Sequence, residues 1–154
     1  NKAKRSGLAR HIGISNFTVA LVEEAVALSE EPLVCNQIEY HPLINQDKVR
    51  AACARNGLAV TAYCPIARNK VADEPVMRDI AQRHDASPAQ IALAWLAGHG
   101  DVISIPRSSR PERLADNLKA LEVSLNDDEM AEISALKARN LRLVDPEGVR
   151  PEWD

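Results

Sequence analysis

The sequence predicts a parallel α/β fold, half of a closed (β/α)8 barrel, and three observations carry that prediction. Four short apolar runs alternate with stretches of helical periodicity, the signature of βα units feeding a parallel sheet. The G-x-G-x-x-G turn of a doubly wound dinucleotide-binding sheet is absent, and six glycines in all leave little material for a phosphate-cradling loop, which favours a barrel. A closed barrel takes eight strands and ~250 residues, so four strands in 154 residues make about half of one. Such a half has two open edges and an uncovered inner face, so something is expected to complete it.

Each element follows from local chemistry. Asn1–Arg10 reads as the tail of a basic helix ending at Gly7, so the chain is expected to start inside a domain. Arg10–Ser15 alternates as a first strand, and Thr18 then caps a helix with Val19, Val22 and Val26 at helical spacing. Leu33–Ile38 is a buried strand behind Pro32; Asn45 caps a helix over Gln46–Asn56, which buries Val49, Ala52 and Cys53 and stops at Gly57. Leu58–Cys64 is the third strand, broken by Pro65 into a long loop before a helix over Pro75–His84. Ser87-Pro88-Ala89-Gln90 is a capping box with proline at the first helical position, and the helix it opens is apolar nearly all round through Trp95 and Leu96, hence buried on several sides. Val102–Ile105 is the fourth strand and Pro111–Leu121 its helix; Asn126 and Glu129 cap another through Lys137, and the tail Asn140–Asp154 has no periodicity. Right-handed crossovers place the four strands side by side in chain order.

Composition narrows the function. With 45% hydrophobic and 27% charged residues the chain has the apolar material for a core, which excludes disorder. Lysine and arginine total 19 against 22 acidic residues, a net charge of -3, so nothing points to nucleic acid or an anionic membrane as partner. No apolar run approaches the ~18 residues of a membrane span and no signal peptide opens the chain. Cys35, Cys53 and Cys64 are odd in number and set in apolar surroundings, which predicts reduced thiols of a cytoplasmic protein rather than a disulfide framework or a zinc site.

Polar groups collect where the predicted strands end, the catalytic rim of a barrel. Ser15 and Asn16 end the first, Asn36 and Gln37 the second, Tyr63-Cys64-Pro65 the third, and Ile105-Pro106-Arg107-Ser108 the fourth. One by one these are ordinary turn or cap residues; together their amides offer paired donors and acceptors suited to a carboxamide such as nicotinamide, on which Tyr63 can stack. Arg107, Ser108, Ser109, Arg110 and Arg113 gather at the start of the Pro111–Leu121 helix, where backbone N–H groups and guanidinium forks suit a phosphate. Lys70, in the loop after Pro65, reads mainly as a solvent-facing lysine, its alternative role being to reach across the pyrophosphate of such a ligand.

In order and spacing, Ile12-Gly13-Ile14-Ser15-Asn16-Phe17, Asn36-Gln37-Ile38-Glu39-Tyr40-His41-Pro42, Ala62-Tyr63-Cys64-Pro65 and Ile105-Pro106-Arg107-Ser108 with Arg113, Asp116 and Asn117 resemble the aldo-keto reductases. The resemblance runs from about Leu8 to the end, and the ending Arg142–Gly148 with Pro151–Asp154 is similar to that of the small bacterial 2,5-diketo-D-gluconic acid reductases.

The resemblance implies that residues 1–154 are the C-terminal half of the barrel, its last four βα units and tail. It implies NADPH as cofactor, with Ser15, Asn16 and Gln37 on the nicotinamide carboxamide, Tyr63 stacked on the ring, and Cys64 and Ile66 along the pyrophosphate. Arg107, Ser108 and Arg113 would clasp the 2′-phosphate, Asp116 and Asn117 would meet the adenine, and Trp153 the substrate. Cys64 stands where serine is common, a poorer phosphate donor, and Arg107 where lysine is common, which keeps the charge and changes the geometry. The family's proton-donor tyrosine and its lysine, aspartate and histidine partners belong to the first four units, so this chain offers no catalytic residue; Tyr40 and His41 match the second motif and are structural. The expected function is an NADPH-dependent oxidoreductase reducing aldehydes or keto-sugars to alcohols, monomeric when whole, with the missing N-terminal half as partner and a small carbonyl compound as substrate. This chain alone would be inactive. The alternative is a non-catalytic half-barrel module assembling with itself or with a partner chain.

Overall fold

The computed structural model describes residues 1–148 and 150–154. Its elements, in order, are α1 (Lys2–Arg5), β1 (Ile12–Ser15), α2 (Val19–Leu28), β2 (Leu33–Glu39), α3 (Asp47–Arg55), β3 (Ala59–Tyr63), α4 (Pro75–Arg83), α5 (Pro88–Ala97), β4 (Val102–Ser104), α6 (Pro111–Leu118) and α7 (Asp127–Ala135). Hydrogen bonding orders the strands β1-β2-β3-β4 in one parallel sheet, as predicted from the crossovers. The chain divides into two compact units, residues 1–38, 46–61 and 144–154 in the first and 39–45 and 62–143 in the second.

In the first unit α2 and α3 pack together, burying Val22, Val49, Ala52 and Cys53 at the predicted spacing. Between β1 and β2 the register slips: Ile12 opposes Leu33 but Ile14 opposes Asn36, so β2 carries an extra residue opposite Gly13. A Cβ on Gly13 would stand 2.6 Å from Cys35 Sγ and 2.8 Å from its carbonyl oxygen, so only glycine fits there. Lys4 and Arg5 of α1 pair with Glu30 and Glu31, and these partners hold the Glu31 carboxyl below its usual range. Thr18 sits at the cap position of α2, but its side chain makes no cap bond; the first helical N–H, Val19, donates instead to Asp154 Oδ2 at 2.9 Å.

The second unit is built around α5, against which α4, β4 and α6 pack. Ile91 through Leu96 are all buried, because a helix apolar on every side must be covered on every side. Its predicted capping box is present, Gln90 N–H donating to Ser87 Oγ at 3.2 Å and Ser87 N–H to Gln90 Oε1 at 2.8 Å. Trp95 packs tilted against Tyr40 and edge-on to His99, and its Nε1 donates to Ser134 Oγ at 3.0 Å. The box at Asn126 and Glu129 is present too. Burial works against the ionised Glu129, yet the His84 ring at 2.9 Å, the Asn126 N–H and the charge of Arg83 outweigh it and hold its pKa below 4.5.

Several boundaries differ from the sequence reading. Strands β1, β3 and β4 are one or two residues shorter, and β2 runs on to Glu39. Helix α3 starts after Gln46, not Asn45, whose backbone N–H donates instead to Asn140 Oδ1 at 3.3 Å. Helix α6 ends at Leu118 and α7 at Ala135, each tightening into a 3-10 turn (Lys119–Glu122 and Leu136–Arg139), and the loop after Pro65 holds another over Ala67–Asp73 that periodicity does not reveal. Among the described residues no helix is long and apolar enough to cross a membrane, no acidic, histidine and cysteine cluster suits a metal, and the three cysteines are free.

Candidate functional site

The predicted site residues fall into two groups, one in each unit. In the first unit Ser15 and Gln37 are register partners across β1 and β2. Gln37 carbonyl accepts both the Ser15 hydroxyl at 3.0 Å and the Asn16 N–H at 2.9 Å. Asn16 turns the chain out of the strand with φ 58, a left-handed conformation asparagine tolerates better than most residues. Asn36 is wholly buried and clamps Phe17, its Nδ2 donating to the Phe17 carbonyl at 2.9 Å and its Oδ1 accepting the Phe17 N–H at 3.4 Å. That amide is satisfied by backbone and is structural, whereas Ser15 is exposed and Gln37 half-buried.

The tail is ordered although it lacks periodicity. Asp145 accepts Trp153 Nε1 at 2.9 Å on one carboxylate oxygen and Arg150 Nη1 at 2.7 Å on the other. Trp153 is thereby held half-buried in the first unit.

In the second unit Tyr63 ends β3 half-buried, and the chain then enters a tight loop: Cys64, Ala67, Arg68 and Asn69 all take left-handed φ between 49 and 71. Non-glycine residues in that region cost on the order of 1–3 kcal/mol each, and the Ala67 N–H to Cys64 carbonyl and Asn69 N–H to Ile66 carbonyl bonds, both 2.8 Å, hold the turns. Lys70 is exposed on this loop. After β4, Ser108 Oγ accepts the Arg110 N–H at 3.0 Å, a serine turn just before α6. Arg107, Arg110 and Arg113 are exposed and, among the described residues, have no acidic partner. Asp116 pairs with Lys119 at 3.1 Å, and Asn117 lines an apolar groove of about 530 Å³ with Ile103, Leu114 and Leu118.

Tyr40, at 3% exposure, sets its hydroxyl 3.3 Å from His99 Nε2, and His41 is fully buried; both are core residues. Sequence reasoning missed the part played by Glu39, whose spacing of two from His41 was its one signal.

Comparison with known proteins agrees with this architecture. The model of the aldo/keto reductase family matches residues 1–138, and the chain belongs to that family. Methylglyoxal reductase DkgB of Escherichia coli O157:H7 is 44% identical over 154 residues, covering 99% of this chain and 57% of the relative. The Yersinia pestis protein of the same name is 45% identical with the same coverage. A solved structure provisionally assigned as a 2,5-diketo-D-gluconic acid reductase B superposes with a TM-score of 0.96 at 40% identity, over 100% of this chain and 55% of that one. The Bombyx mori aldo-keto reductase, solved in complex with NADP, gives a TM-score of 0.84 at 33% identity over 94% of this chain and 50% of its own. This chain therefore spans a little over half the length of the curated relatives it matches.

Proposed function

We propose that this chain supplies the cofactor-binding half of an NADPH-dependent reductase that converts small aldehydes or keto-sugars to alcohols. The observation that carries the reading is the trio Arg107, Arg110 and Arg113 around the start of α6, exposed and, among the described residues, unpaired with acid. Three cations left without counterions suit a phosphate monoester, and Ser108 adds a hydroxyl. The polar ends of β1 and β2, Ser15, Asn16 and Gln37, suit a carboxamide, and Tyr63 suits stacking on a planar ring. Cys64 and Ile66 would lie along the pyrophosphate, Asp116 and Asn117 at the adenine, and Trp153 against the substrate. When bound, the cofactor supplies hydride; these residues hold and orient it.

The proton that must reach the carbonyl oxygen has no donor here, since Tyr40 is buried against His99 and no other residue matches that role. The 154 residues alone are therefore inactive, and the active enzyme needs the portion of the relatives' length that this chain does not span. The apolar edge at Ile103, Ile105 and Leu118, each at least 42% exposed, favours completion of a barrel over a lone module.

Replacing Arg107 and Arg113 together by alanine tests the assignment in a fluorescence titration of the completed enzyme. NADPH affinity should fall by several kcal/mol while NADH affinity barely moves; equal weakening of both would overturn it. Reduction of methylglyoxal by the purified 154-residue chain would contradict the missing proton donor.

A further inference from the structure

The second unit contains a buried ionisable pair that the cofactor residues do not use. Glu39, the last residue of β2, and His41 both have fully buried side chains, and His41 Nε2 lies 3.0 Å from Glu39 Oε1. The other ring nitrogen settles the tautomer. His41 Nδ1 accepts the Leu43 N–H at 3.2 Å, so it carries no proton, and Nε2 is the donor to the carboxylate. The same Glu39 oxygen accepts the N–H of Leu143 at 2.7 Å, from a residue 104 positions further along the chain.

Two further bonds join the same stretches: Leu141 N–H donates to the Leu43 carbonyl at 2.7 Å, and Asn45 N–H to Asn140 Oδ1 at 3.3 Å. Neither Tyr40–Asn45 nor Asn140–Leu143 belongs to a helix or strand, so these bonds are no by-product of a ladder. Burying a carboxylate is costly, and a neutral acceptor such as the Leu43 carbonyl already serves Leu141. A charged acceptor is the stronger one, and His41 orients it.

We infer that Glu39 is a positioning residue, and that its carboxylate, oriented by His41, clasps the C-terminal segment Asn140–Leu143 to the loop that follows β2. That loop leaves the carboxyl end of its strand, the rim on which barrel enzymes assemble their sites. The clasp fixes the point from which the chain runs on into the tail carrying Trp153. The consequence for substrate contact rests on the reductase reading above; the clasp itself does not.

Amide hydrogen exchange of the 154-residue chain, read residue by residue by NMR, tests the clasp without reference to activity. Glu39→Ala should speed exchange at Leu143 and Leu141 by about 10- to 100-fold, while Leu96, deep in α5, stays within about threefold of the unsubstituted chain. Glu39→Gln keeps an acceptor oxygen and loses the charge, so its Leu143 rate should fall between the two. If Glu39→Ala accelerates every amide together, Glu39→Gln decides: selective speeding at Leu141 and Leu143 upholds the clasp, and uniform or absent change overturns it. Unprotected Leu143 in the unsubstituted chain also overturns it. A failure here leaves the NADPH titration untouched, so the two readings fail separately.

Discussion

Helices α5 and α6 adjoin in the second unit, yet they meet their surroundings in opposite ways. In α5 six successive residues are buried and both partners of the capping box are engaged. In α6 no residue is buried, no side chain caps the start, and Leu114 and Leu118 stand 49% and 68% exposed although they share one face of an amphipathic helix. Strand β4 shows the same split, with Val102 buried and Ile103 57% exposed. The difference teaches that an apolar stripe is a statement about what a helix is built to cover. Helix α5 finds its cover within the second unit, whereas the stripe of α6 lies open; on the reading proposed above, a completed barrel would cover it.

The sharpest way to break this contrast is a truncation in each helix. Leu96→Ala should cost about 2–5 kcal/mol in urea unfolding, because it opens a cavity where nothing can collapse inward. A cost under 1 kcal/mol would show that α5 is looser than its burial states.

A smaller effect belongs to the helix starts. Ser87→Ala removes the acceptor for the Gln90 N–H and should cost about 0.5–2 kcal/mol. Arg110→Ala, at the uncapped start of α6, should leave stability within about 0.5 kcal/mol. Equal losses at the two positions would refute the distinction.

The capping acid of α7 adds a pH dependence. Glu129 holds its proton less tightly folded than unfolded, so the unfolded chain binds more protons as the pH falls past 4.5. Its contribution is therefore complete above that pH and is lost as the pH falls through the lower, folded value. Glu129→Gln should flatten the acid limb of a stability-against-pH curve; an unaltered acid limb would remove Glu129 as its source.

The smallest effect is expected from Leu118→Ala, within about 0.5 kcal/mol in this chain. The same change in a completed barrel should cost more than 1 kcal/mol as the stripe becomes buried. Identical costs in both settings would sink the claim that α6 awaits a partner surface.

What sequence could reveal depended on how local the cause was. The capping boxes at Ser87 and Asn126 were legible because both partners lie three residues apart, and α5 was legible because its composition allows no exposed face. The caps expected from Thr18 and Asn45 did not form as local bonds. Asp154 serves the start of α2, and Asn140 bonds the backbone of Asn45, from 135 and 95 residues away. The turn over Ala67–Asp73 stayed hidden because left-handed residues at Arg68 and Asn69 interrupt any period.

By itself, then, the sequence determined the alternation of strands and helices, the parallel order of the sheet and the family, since short-range periodicity and motif spacing are written along the chain. Only the tertiary structure decided which polar side chains are already occupied. Asn36 proved to clamp Phe17, Asp145 to gather Arg150 and Trp153, and Glu39 to meet Leu143. Hydrogen-bonding capacity is a property of a residue, but whether it is spent depends on neighbours that folding brings from far along the chain.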